Sequence, residues 1–302
     1  ANLSKLYDGA ITTVTVNFEN GKINLDAKSY GGKEITDLYK KYSGKDFDKS
    51  MVKNIPSKNL AAFFAFNFKP EGVKEFLKIL NMDGLINLGA AQVGFNLDDF
   101  VKANKGDILI AVTDIKQDTL VGQNADFIFA ASINDKTSFN KIIDAGKKFG
   151  GPMLGGNNKY AYNVNDKYFV FTNNKTVTDT YITGTANTSF DFMDKISGGP
   201  FGGFVNFQYI LNNMKPKATA DSLDVEIYNA SIKMWDNLLI SGGNFKDGGI
   251  TQHWEANMMD KNSNSLKQLN SYLGSVSIIQ EKKKATTISL CNVLHWLLTD
   301  SE

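Results

Sequence analysis

The sequence predicts an α+β fold whose sheet is largely antiparallel or mixed, built from hairpin-plus-helix units with the helices mainly on one face. Three observations support this fold class. Alternating polar and apolar residues flank turn-forming pairs at three places along the chain. Apolar residues recur at helical spacing after each of these hairpins. Continuous apolar runs of strand length lie between them, as in buried central strands.

The first hairpin has the clearest pattern. Residues 14–18 alternate apolar and polar up to Asn20-Gly21, and residues 23–27 alternate back. Asn-Gly is typical of a type I′ turn, because both central residues of that turn need positive φ. We therefore expect a two-residue hairpin of this type, followed by a short helix over residues 34–42.

The remaining elements are predicted from the same two patterns, which are polar–apolar alternation along strands and apolar residues at helical spacing. The Pro70-Glu71 pair predicts a helix start, because proline suits the first helical position. We expect the following elements in chain order: a central strand at 61–68, a helix from Pro70 to Leu80, short helices near 85–93 and 97–103, buried strands at 108–112 and 127–133, a helix after Asn134-Asp135, a hairpin around Asn165-Asp166, an apolar segment through Leu211, a helix from Leu223 to Met234, a hairpin turning at 246–249 and a final helix over 265–273.

Residues 1–280 are expected to form a single α+β domain, with a possible sub-boundary near 150–158, where glycine is abundant. The tail at 281–302 differs in composition. It follows three consecutive lysines and contains the single cysteine, Cys291, together with His295. We expect this tail to be an appendage that is either not native to the fold or loosely packed.

The composition argues against most enzyme classes. All 33 basic residues are lysine, and the chain has two histidines. Arginine is the usual bidentate ligand for carboxylates and phosphates, and histidine is the usual proton carrier at neutral pH. The net charge of +1 gives no electrostatic case for nucleic acid, whose binding needs a basic face. No apolar stretch is long enough for a membrane helix.

No metal, cofactor or nucleophile site can be assigned from the sequence. His253 falls on the polar side of its strand, and we interpret it as a surface histidine. Residues 260–264 resemble the start of a calcium loop, but Ser265 and Ser271 stand where glycine and glutamate are needed. Cys291 has apolar neighbours that would raise the pKa of its thiol, so we expect it to be inert.

Carboxylates and tyrosines leave alternatives open. Asp98, Asp99, Asp107, Asp114 and Asp118 are explained individually as caps or turn residues, although a glycosidase would need two such acids facing each other. The tyrosines around the second hairpin have asparagine neighbours and could stack on a sugar. Cross-strand packing is the favoured interpretation of these tyrosines, which are Tyr160, Tyr162 and Tyr168.

Four segments resemble a Bacteroidetes lipoprotein family that carries domain of unknown function 4836. They are NLAAFFAFNFKPEG at 59–72, LDDF through KGDI at 97–108, GGPFGG at 198–203 and NSLKQL at 264–269, within a resemblance over roughly 1–275. The resemblance implies a secreted lipoprotein with a signal peptide and a lipid-bearing cysteine upstream, of which this chain is the C-terminal portion. It implies no catalytic residues.

We therefore expect a domain of the cell envelope, in the periplasm or on the outer-membrane surface, that binds a protein partner or a glycan without catalysing a reaction. The membrane attachment would come only through the upstream lipid anchor. A carbohydrate-active hydrolase using paired carboxylates, with Asp107 and Asp114 among the candidates, is the first alternative. A structural or assembly component of the envelope is the second.

Overall fold

Ten strands form one antiparallel sheet in the computed structural model of the chain, which describes residue 4 and residues 8–118, 122–150, 160–216 and 220–299. The strands are β1 (Ile11–Glu19), β2 (Lys22–Tyr30), β3 (Leu60–Asn67), β4 (Asn104–Asp118), β5 (Gly122–Ile133), β6 (Ala161–Val164), β7 (Tyr168–Thr172), β8 (Phe201–Asn206), β9 (Trp235–Lys246) and β10 (Gly249–Met258). They lie in the order β1-β2-β10-β9-β8-β3-β4-β5-β7-β6. The predicted α+β class is confirmed.

Helices connect most of these strands. Within the described part of the chain they are α1 (Lys33–Tyr42), α2 (Lys49–Lys53), α3 (Pro70–Ile79), α4 (Asp83–Val93), α5 (Leu97–Ala103), α6 (Lys136–Gly150), α7 (Lys175–Thr183), α8 (Met193–Ile196), α9 (Phe207–Asn213), α10 (Ser222–Met234) and α11 (Ser265–Thr299). None of the helices in that part is long and apolar enough to cross a membrane.

The main core lies on one face of the centre of the sheet. Phe63 of β3 and Leu109 of β4 are fully buried there, and α2, α7 and α8 cover them with Met51, Tyr181 and Ile196. Residues on the other face of β4 and β5 pack beneath α5 and α6 in a second cluster. The helices α3 and α4 pack in turn against α5 and α6, so four consecutive helices gather on that face.

The predicted type I′ turn at Asn20-Gly21 is wrong, although the hairpin itself is present. Gly21 has φ 69°, while Asn20 does not have positive φ. Contacts from elsewhere in the chain fix this turn: Gly21 N donates to Ser263 O at 2.9 Å, and Asn20 forms a β-bridge with Asn264. The geometry expected there occurs instead between β9 and β10, where both Asp247 (φ 48°) and Gly248 (φ 80°) are left-handed.

The last helix continues past its predicted end at Leu273 as far as Thr299, although only the backbone is described after residue 284. The three consecutive lysines at 282–284 lie within this helix, because lysine is a good helix former and α10 provides acidic partners. Lys283 Nζ lies 2.6 Å from Asp224 Oδ1. The interpretation of 281–302 as an appendage stays a prediction, and the glycine-rich residues 151–156 lie outside the described residues.

Candidate functional site

The two acids proposed for a hydrolase both have structural roles. Asp107 is 3% exposed, and its carboxylate accepts hydrogen bonds from Asn67 Nδ2 at 2.8 Å and Ser132 Oγ at 3.1 Å. Asp114 accepts at 2.9 Å from both Ser57 and Asn59. Seven residues along one strand separate the two acids by roughly 20 Å. They cannot flank one glycosidic bond.

The acids at the start of α5 act as predicted. Asn96 and Asp99 form a capping box, in which each side chain accepts a hydrogen bond from the backbone of the other residue. Asp98 forms an ion pair with Lys74, and Asp99 forms one with Lys141. The side chain of Asp118 lies outside the described residues. These carboxylates therefore stabilise the helix and its neighbours.

The three tyrosines of the second hairpin do not form one surface. Tyr160 stacks on Phe171 with 5.5 Å between ring centroids, and Tyr162 lies 6.0 Å from Phe169. Tyr168 points to the opposite face of the sheet, where its hydroxyl donates to Asp48 at 2.8 Å. Burial raises the pKa of Tyr168 to about 12. Packing within the sheet accounts for Tyr160 and Tyr162, whereas Tyr168 contacts α2 and lines a separate cleft of about 410 Å³.

A different group of polar residues lies on one face of β2, β10 and β9. The register places Lys22 beside Asn257, Asn24 beside Glu255 and Asp26 beside His253. On the other side of β10, Asn237 of β9 lies beside Asn257 and Ser241 lies beside His253. We call these eight residues the polar face: Lys22, Asn24, Asp26, Asn237, Ser241, His253, Glu255 and Asn257.

Glu255 lies at the centre of the polar face and is only 9% exposed. Its carboxylate accepts from Lys22 Nζ at 3.1 Å, Lys195 Nζ at 3.3 Å and Asn257 Nδ2 at 3.0 Å. Burial alone would raise the pKa of this carboxyl. The hydrogen bonds from the amide and the two lysines outweigh burial and lower the pKa to about 2. Glu255 is therefore a fixed anion at neutral pH.

A cleft of about 420 Å³ adjoins one end of the polar face. The half-buried ring of Phe192 forms part of its wall, and Asp191, Lys195, Asp236, Asn237 and Asn257 contribute polar groups. Asn257 Nδ2 donates to both Asn237 Oδ1 and Glu255 Oε1. Among the described residues, Asn237 Nδ2 and Asn257 Oδ1 have no partner, so the cleft holds one free donor and one free acceptor.

A second cleft, of about 270 Å³, adjoins the other end of the polar face. His253 Nδ1 lies 2.7 Å from Asp26 Oδ1, and its side chain is 44% exposed, which agrees with the predicted surface histidine. Gly198 and Gly199 of the Gly-Gly-Pro loop line this cleft. A side chain at Gly199 would lie 2.6 Å from the carbonyl oxygen of Gly242, so this glycine is needed for a close backbone contact.

The part of the chain that the structure describes holds no group of three potential metal ligands.

A scan against protein-family models and searches of curated proteins and of solved structures found no match to this chain. The site must therefore be interpreted from its own geometry.

The sequence carried one usable signal for the polar face. Residues 251, 253, 255 and 257 are all polar and alternate along β10, which indicates a strand face without an apolar cover. The sequence did not show that Lys22 and Lys195, from distant parts of the chain, would meet Glu255. Sequence reasoning therefore missed this site.

Proposed function

We propose that this chain is a non-enzymatic binding domain and that the first cleft of the polar face holds a glycan. The observation that carries this proposal is the pair of unused amide groups of Asn237 and Asn257 in one cleft, beside a Phe192 ring that itself stacks on Phe204 with 3.9 Å between centroids. A sugar presents hydroxyls that pair with a hydrogen-bond donor and an acceptor, and the apolar part of the cleft wall accommodates its C–H groups. The local charges are largely paired, as for Lys261 and Asp236 at 2.7 Å, which favours a neutral sugar.

We further propose that the domain works in the cell envelope, in the periplasm or on the outer-membrane surface, tethered by a lipid anchor upstream. The support for this is the resemblance of the segments at 59–72, 97–108, 198–203 and 264–269 to the Bacteroidetes lipoprotein family. A protein partner on the polar face is the other ligand class that this location allows.

The test is a thermal-shift screen of the chain against host and plant polysaccharides, followed by calorimetric titration of any glycan that raises the melting temperature. A ligand that binds only the native state stabilises it by about 2.7 kcal/mol at a hundred times its Kd. The Asn237→Ala variant should lose at least tenfold in affinity, whereas the control Asn212→Ala, an exposed asparagine on α9, should bind normally. Equal glycan affinities in the two variants would show that the glycan does not bind in this cleft.

Hydrolysis remains the second candidate because two acids, Asp191 and Asp236, line this same cleft beside Phe192. Release of reducing sugar from the bound glycan, abolished in both Asp191→Asn and Asp236→Asn, would establish an enzyme. A binding domain would retain the glycan intact. If no glycan stabilises the chain, a protein ligand or an assembly role becomes the better explanation.

A further inference from the structure

The outer edge of the sheet at β1 lacks the features that usually protect an edge strand. β1 has nine residues, and the first seven are exposed, including Ile11 (63%), Val14 (53%) and Val16 (43%). No charged residue, proline or glycine occurs between Ile11 and Phe18. The opposite edge strand, β6, has four residues within the described part of the chain. Long, uncharged edges are templates for pairing with another strand, and proteins usually shorten or charge them.

The turn geometry shows which backbone groups of β1 face outward. Glu19 and Lys22 flank the two-residue turn, so theirs is a hydrogen-bonded pair, and bonded pairs alternate along an antiparallel ladder. The N–H and C=O groups of residues 12, 14, 16 and 18 therefore point away from β2. One contact supports this assignment: Asn264 Nδ2 donates to Phe18 O at 3.0 Å. Asn264 thus occupies the Phe18 end of the edge, and no other described residue bonds the outward backbone groups of Thr12, Val14 and Val16.

We propose that β1 pairs with β1 of a second copy of this chain, antiparallel about a two-fold axis at Val14. This register uses the open residues symmetrically: Val14 faces Val14, and Thr12 faces Val16 in both directions. Each pair exchanges two backbone hydrogen bonds. The side chains of these residues lie on one face of the sheet, so Val14 and Val16 of one copy would lie next to Val14 and Thr12 of the other. Because residues 11–18 carry no charge, this pairing brings no like charges together, and the outward-facing residues 12, 14 and 16 match their own register; both facts favour a second copy.

The experiment is light scattering after size exclusion, from about 5 to 500 μM protein, compared with the chain mass of 33.3 kDa. The unmodified chain should reach twice that mass. Val14→Pro removes an outward N–H without touching the β1–β2 ladder, and Val14→Lys adds a like charge at the axis. Both should stay monomeric with unchanged circular dichroism. Leu88→Lys, at an exposed leucine on α4, is the matched control and should dimerise.

The register is tested separately by disulfide formation in a Cys291→Ser background. Cα atoms of a hydrogen-bonded pair lie about 5.5 Å apart, within the range of a disulfide. Val14→Cys chains should cross-link on mild oxidation, and Leu88→Cys chains should not. A monomer throughout the concentration range, a dimer that survives the folded Val14 variants, or equal cross-linking at the two positions would overturn the proposal. If Val14→Pro fails to fold, Val14→Lys decides.

Discussion

Replacing Glu255 by glutamine should remove a defined part of the acid sensitivity of this fold. The carboxylate has an ordinary pKa of 4.5 and a pKa of about 2 in the folded chain. Because the folded pKa is the lower one, the ionised side chain stabilises the native state above pH 4.5. That contribution is lost as the pH falls from about 4.5 to about 2.

The size of the contribution follows from the two pKa values and from the exposure of the partners. Each unit of difference between the two pKa values corresponds to about 1.4 kcal/mol, so the largest possible contribution of Glu255 to the free energy of unfolding is roughly 3 kcal/mol. Lys22 and Lys195 have side chains that are 33% and 63% exposed, so solvent screens their attraction to Glu255. We therefore expect about 1–2 kcal/mol, and less at high salt.

The assay is urea unfolding of the unmodified chain and of Glu255→Gln at several pH values between 7 and 2. The difference between their free energies of unfolding should be about 1–2 kcal/mol at pH 7 and should shrink towards zero at pH 2. Other acids titrate in both proteins and cancel in this difference. A difference that stays constant from pH 7 to pH 2 would refute the assignment of a strongly lowered pKa to Glu255.

Three further substitutions test the packing. Tyr181→Phe should lower the free energy of unfolding in urea by about 1–2 kcal/mol, because it removes the hydrogen bond from the buried hydroxyl to Met51 O at 2.9 Å. An unchanged free energy of unfolding would show that this hydrogen bond contributes nothing to stability. Gly106→Ala should destabilise by more than 2 kcal/mol, since φ is 105° and a Cβ would lie 1.9 Å from Phe68 O. Gly84→Ala, in open space on α4, should stabilise by about 0.5–1 kcal/mol; equal effects at the two glycines would contradict the backbone argument.

The sequence predicted elements well where local chemistry decides them. Asp98 and Asp99 lie in the first turn of α5, as their predicted capping role requires, and Pro70 begins α3 as expected. Predictions from the sequence were wrong where residues distant along the chain decide the geometry. The turn at Asn20-Gly21 follows from contacts with residues 258–264 and not from the preference of the pair alone. Strand order has the same origin, because β2 pairs with β10 from the other end of the chain.

The polar face depends on both local pattern and distant contacts, and it carries a cost in stability. Asn24 is 7% exposed, and its Oδ1 has no hydrogen-bond partner in the described structure. An unpaired buried acceptor costs about 1–3 kcal/mol, and an apolar residue at this position would avoid that cost. Glu255 is likewise a buried charge that needs Lys22, Lys195 and Asn257 to hold it. A sheet face serving only as cover would be more stable with apolar side chains, so this buried polar cluster is a stability cost of the kind that the proposed binding role predicts.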